Sequence, residues 1–120
     1  MIWDPSIRTK VYVVDASAEG YESFAQDRAL GSAEVVFFTT GRDALRAALE
    51  EAPAMWIVNM QLPDMDGARL QSILRSSGCK AHIALISDEY KVEDEIAARC
   101  AGADMYFAKP LHLDLIFAAQ

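Results

Sequence analysis

Five short runs rich in β-branched and aromatic residues alternate with five segments of helical periodicity, and this alternation restricts the possible folds more than any other feature of the chain. The runs are residues 10–14 (KVYVV), 33–39 (AEVVFFT), 55–58 (MWIV), 82–86 (HIALI) and 105–108 (MYFA). They are apolar almost throughout, which predicts strands covered on both faces, as in a parallel sheet. After the first run, Ser17 can cap a helix on which Tyr21, Phe24, Ala25 and Leu30 recur until Gly31. Ala44, Leu45, Ala48 and Leu49 mark one face of a helix over 42–51, which Pro53 terminates. Ala68, Leu70, Ile73 and Leu74 mark a third helix that starts after Gly67 and stops at Ser77 and Gly78. Ile96, Ala97 and Cys100 form the apolar side of a fourth over 92–101, and a last short helix covers 113–119. Strict alternation with short connections predicts an α/β, doubly wound sheet with helices on both faces. Right-handed crossovers leave few topologies, and the flavodoxin-like strand order 2-1-3-4-5 with five helices suits a single domain over residues 1–120.

Composition narrows the functions. Eighteen acidic against eleven basic residues give a formal charge of -7, with no Lys/Arg stripe to track phosphates, so direct nucleic-acid binding is not expected. Cys79 and Cys100 lack metal-ligand spacing and read as free thiols of a reducing compartment. No segment approaches the ~18 apolar residues of a membrane span, and the N-terminus lacks a signal-like apolar core, so a cytoplasmic location is expected. His82 and His112 stand alone in sequence, and Trp3 and Trp56 read as packing residues.

In open parallel sheets, ligands bind beyond the carboxyl ends of the strands. The expected topology gathers there Asp15 from the first strand, Asn59 from the third, Ser87 from the fourth and Lys109 from the fifth, with Ala16 beside Asp15. VVD at 13–15, LPDMDG at 62–67, ISD at 86–88, GAD-x-Y at 102–106 and Lys109-Pro110 follow in order. With these motifs the chain resembles a response-regulator receiver domain of the chemotaxis-receiver type across essentially its whole length. The resemblance implies an aspartate after the third strand that takes a phosphoryl group from a histidine kinase. It also implies two acids after the first strand that hold Mg2+, a Ser or Thr that binds the phosphoryl group, a Lys that neutralises it and an aromatic switch in the fifth strand. Asp15, Ser87, Lys109 and Tyr106 match these roles, and the Lys109-Pro110 bond is expected to be cis.

Two positions depart from the pattern: the acceptor position is Asn59 and the second acid is Ala16. A carboxylate attacks phosphorus with a full negative charge, whereas an amide oxygen has only partial charge and forms no stable acyl phosphate. Mg2+ favours an octahedral oxygen shell with one or two carboxylates, so its affinity should be lost or weak with Asp15 alone. By the same logic Asn59→Asp alone should restore little. Lys109 can pair with Asp15 and hydrogen-bond the Asn59 oxygen. Asp88, where the family usually has a small residue, could partly replace the lost acid or repel a phosphoryl group.

The reading that follows is a pseudo-receiver of a two-component signalling protein, without enzymatic activity, acting as a phosphorylation-independent interaction module. Its partner would be another protein or an attached output domain, with homodimerisation open. The resemblance puts the partner face on Tyr90, Lys91 and Val92 at the start of the fourth helix, Tyr106 on the fifth strand, and Leu113, Ile116 and Phe117 on the last helix. One alternative is a phosphorylatable regulator that uses another nucleophile such as Asp64 or Asp88, or in which Asn59 is an engineered replacement. Another is a small-molecule binder at the strand-end crevice, though DASAEG after the first strand is no Gly-rich phosphate loop.

Overall fold

The computed structural model describes residues 9–22 and 33–111. Every apolar run becomes a strand: β1 (Thr9–Val14), β2 (Ala33–Phe38), β3 (Met55–Asn59), β4 (His82–Ser87) and β5 (Met105–Ala108). All neighbours pair in parallel, in the order β2-β1-β3-β4-β5. The register pairs Val14 with Val58, Asn59 with Ile86 and Ser87 with Ala108, so the carboxyl ends of β1, β3, β4 and β5 form one rim. Among the described residues there are three helices, α1 (Gly41–Glu50), α2 (Gly67–Ser76) and α3 (Val92–Cys100). The other two expected helices fall mainly on residues outside the described ones.

The central strands β1, β3 and β4 are buried on both faces, as their continuous apolar runs require, while the edge strands β2 and β5 are half-buried and Phe37 is 48% exposed. Tyr12, Val14, Trp56, Val58, Ile83 and Leu85 point to the side where Ala44 of α1, Leu70 and Leu74 of α2 and Ala98 of α3 close over them. Val11, Val13, Met55, Ile57, Ala84 and Ile86 point to the other side, with Tyr21 and Leu111. Two expected apolar faces need correction. Leu49 is 88% exposed, because α1 buries Gly41 and Ala44 in its first turn and its later residues are only half-buried or exposed. Ile96 is 58% exposed, with Ala97 and Cys100 also exposed, and α3 buries Ala98 instead. Periodicity does mark a side of α3, but its stripe of Val92, Ile96 and Cys100 faces solvent, and the helix packs on the sheet through the small Ala98 instead.

Local chemistry sets the loops that carry the site. Thr40 caps α1 through its Oγ1, which accepts the Asp43 N–H at 3.1 Å. Asp64 reaches the same helix start from the β3–α2 loop and accepts the Gly41 and Arg42 N–H groups at 3.0 and 2.9 Å. A carboxylate there satisfies orphan donors and the positive end of the helix dipole. At the start of α2, a Cβ on Gly67 would lie 2.2 Å from the Asn59 carbonyl oxygen, so only glycine lets the helix begin against the strand end. The Gly67 N–H donates to the Met60 carbonyl at 2.9 Å, which fastens the loop beneath Asn59.

Candidate functional site

The rim brings Asp15, Asn59, Asp88 and Lys109 into one hydrogen-bonded cluster. Asn59, buried at the end of β3, donates from Nδ2 to Asp15 Oδ2 and to Asp88 Oδ1, each at 3.0 Å. Its Oδ1 accepts the Gln61 N–H at 2.8 Å. The neighbours dictate this orientation, since a reversed amide would set its oxygen against two carboxylates. Lys109 Nζ lies 2.9 Å from Asp15 Oδ2 and 3.0 Å from Asp88 Oδ1. Lysine thus pairs with both acids and does not make the bond to the Asn59 oxygen expected from sequence, because the amide turns its NH2 group to those acids and its oxygen away toward the Gln61 N–H.

Asp15 is saturated. Its Oδ2 also accepts the Tyr21 hydroxyl at 2.7 Å, and its Oδ1 accepts the Ser17 N–H at 3.0 Å. Ser17 in turn accepts the Glu19 N–H on its hydroxyl, so it caps a turn in the described segment. Ala16 is exposed at the bend after β1. Lys109 is held on three sides: the Lys109-Pro110 bond is cis, its ammonium lies 5.0 Å from the centre of the Tyr21 ring, and Gly20 closes over its stem. Gly20 has φ +95°, and a Cβ there would lie 2.6 Å from Lys109 Cδ, so the loop needs glycine on both counts.

The electrostatics follow from these contacts. Burial of Lys109 works against its charge, but the bonds to Asp15 and Asp88 outweigh it and raise its pKa above the ordinary lysine value. The Lys109 hydrogen bond holds Asp88 below the usual carboxylate range against some desolvation, with help from Asn59. Burial raises the Tyr21 hydroxyl pKa, and its bond to Asp15 raises it further. Two carboxylates against one ammonium leave the cluster at a formal −1, because Asp88 joins the pair of Asp15 and Lys109. Asp64 is occupied at the start of α1; some desolvation opposes its charge, yet the Arg42 and Gly41 N–H groups hold its pKa down.

Ser87 turns away from this cluster. Its hydroxyl donates to Asp94 Oδ2 on α3 at 2.7 Å and accepts the Tyr106 hydroxyl at 2.7 Å. A cleft of about 150 Å3 remains between the two groups, lined by Asn59, Ser87, Asp88, Lys91 and Asp94 among others. On the expected partner face, Tyr90 and Val92 are 59% and 52% exposed, Lys91 is exposed and Tyr106 is half-buried. The Tyr90 and Tyr106 rings meet edge-on with centres 6.0 Å apart. Leu113, Ile116 and Phe117 lie outside the described residues. Sequence reasoning missed Tyr21 and Asp94. Tyr21 was read as a helix-face residue because spacing cannot reveal a hydroxyl bond to Asp15, and Asp94 sat unmarked among three consecutive acids.

The family model of the response regulator receiver domain matches residues 11–120. The transcriptional regulatory protein PrrA of Mycobacterium tuberculosis is 31% identical over 104 residues, which cover 87% of this chain and 45% of PrrA. The transcriptional regulatory protein KdpE of the same organism is 32% identical over 110 residues, covering 92% of this chain and 48% of KdpE. The chain thus spans about half the length of these curated relatives. A putative response regulator from Chloroflexus aurantiacus superposes with a TM-score of 0.81 at 24% identity, over 93% of this chain and 94% of that one. The chemotaxis response regulator CheY4 of Vibrio cholerae has the same fold, with a TM-score of 0.79 at 22% identity over 95% of this chain and all of CheY4. By family match and identity together, the chain belongs to the response regulator receiver domains of two-component signalling.

Proposed function

We propose that this receiver domain signals without accepting a phosphoryl group and acts as a protein-interaction module toward a partner protein or an output domain of a longer chain. The observation that carries this reading is the Asn59 amide, which sits at the family's acceptor position with its NH2 group held between Asp15 and Asp88. The amide supplies no nucleophilic carboxylate. The donor set also does not fit Mg2+: Asn59 points hydrogens at the acids, Asp15 Oδ2 already has three donors, and Ala16 offers a methyl group. The other candidate nucleophiles are engaged as well, Asp64 with the α1 N-terminus and Asp88 with Lys109 and Asn59. The interaction face is the exposed surface around Tyr90, Lys91 and Tyr106.

The test is intact-mass measurement after incubation with acetyl phosphate and Mg2+. No phosphoryl adduct is expected, and a stoichiometric one would overturn the proposal. Once a partner is in hand, Tyr106→Ala or Lys91→Glu should weaken capture. Loss of capture on Asn59→Ala alone would move the interaction to the strand-end cluster.

A further inference from the structure

The hydroxyl of Ser87 has one proton and two acceptor sites. A carboxylate only accepts, so the contact with Asp94 Oδ2 at 2.7 Å uses that proton, and the Tyr106 hydroxyl at 2.7 Å must be donated to Ser87. The Tyr106 oxygen then accepts the Lys91 N–H, at 3.5 Å, from the residue that caps α3. These contacts close a ring: α3 supplies Asp94, β4 supplies Ser87, β5 supplies Tyr106, and the chain returns to the start of α3. Among the described residues, the other ties at this helix end are the exposed Tyr90 hydroxyl bond to Glu95 and the edge contact of the Tyr90 and Tyr106 rings. Lys91 makes no side-chain cap, and Ala98 is the one buried residue on α3. The neighbouring acids have other roles, since Glu95 accepts from Tyr90 and Arg99 while Glu93 is exposed.

We infer that Asp94 is the positioning residue of the interaction face: its carboxylate commits the Ser87 proton toward α3 and thereby holds Tyr106 inward and the start of α3 in one arrangement. With its proton on Asp94, Ser87 has none to offer at the Asn59 side of the cleft. The face is therefore set by a fixed charge inside the domain. This deepens the proposed function and rests on it, because a built-in acceptor matters most where no phosphoryl group arrives.

The test uses the whole chain labelled with 3-fluorotyrosine, with the Tyr106 signal assigned by Tyr106→Phe. Wild type should show one sharp Tyr106 resonance. Asp94→Ala should shift or split it and speed amide exchange over residues 91–95 at least tenfold. Asp94→Asn, which keeps an acceptor oxygen, should give a smaller change. Ser87→Ala deletes the acceptor of the Tyr106 hydroxyl and gives the reference signal of a released Tyr106, while the isosteric Asp94→Asn keeps the test readable if Asp94→Ala unfolds. Glu93→Ala, on the same turn, should change neither reading. An unchanged Tyr106 signal and unchanged exchange in Asp94→Ala, or in Asp94→Asn should Asp94→Ala not fold, would overturn the inference, as would an equal effect of Glu93→Ala. A phosphoryl adduct on wild type would sink the proposed function separately, whatever these variants do.

Discussion

Replacing Asn59 by aspartate tests whether the amide is what lets the two acids share the rim. Asn59 Nδ2 lies 3.0 Å from both Asp15 Oδ2 and Asp88 Oδ1, so the new carboxylate oxygen would face two others at that distance. At an effective dielectric of ~20, each bare contact repels by about 5 kcal/mol, more than the shared Lys109 can offset. The new carboxyl group therefore takes up a proton instead. Holding it neutral at about pH 7 against an ordinary pKa near 4 costs about 4 kcal/mol, which caps the penalty. The sign is that of a carboxyl group whose folded pKa is raised: the loss is absent below about pH 4 and grows as pH rises above it. A protonated carboxyl donates only once where the amide donates twice, so urea unfolding in EDTA should show Asn59→Asp about 1–2 kcal/mol below wild type at about pH 4.5 and several kcal/mol further below at about pH 7.5. Because Asp88 reaches the cluster, the variant has three carboxylates, and millimolar Mg2+ should recover most of the loss, contrary to what the methyl group of Ala16 alone suggested. Equal urea midpoints at about pH 7.5 in EDTA would refute the argument.

Three further outcomes follow from single contacts. Lys109→Met leaves Asp15 buried beside Asp88 without a counter-charge and should destabilise the domain by about 3 kcal/mol in urea, a cost that added salt does not remove. Asp88 stabilises the fold above the ordinary carboxylate pKa and loses that effect as pH falls through its depressed value, so the gap between wild type and Asp88→Asn should narrow below about pH 4. With Asp88 two-thirds exposed the gap is under ~1 kcal/mol, and a gap constant down to about pH 3 would contradict the ion pair. Gln71 is fully buried on α2 with neither its Nε2 nor its Oε1 hydrogen-bonded among the described residues, so Gln71→Leu should raise the urea midpoint by about 1–2 kcal/mol of stability, and a lower midpoint would show that its amide has a partner.

The pattern of apolar runs along the chain was enough to give the sheet. Five near-continuous apolar runs cannot face water on either side, so they had to be parallel and covered, and right-handed crossovers then left the observed strand order as the natural solution. It also placed Asp15, Asn59, Ser87 and Lys109 at one rim, because each immediately follows or ends an apolar run and parallel strands end on the same side. Which side chains bond one another emerged from the packed fold. Asp88 enters the cluster, Tyr21 joins Asp15, Gln61 takes the Asn59 oxygen, and Ser87 turns to Asp94. It also decided which side of α3 is buried, that of Ala98 and not the side of Ile96 and Cys100 that periodicity marks. The physical reason is one of range. Strand burial is a property of many residues in a row and survives as a pattern along the chain, whereas a hydrogen bond depends on about 3 Å between side chains that can be dozens of residues apart, a distance no spacing in sequence records.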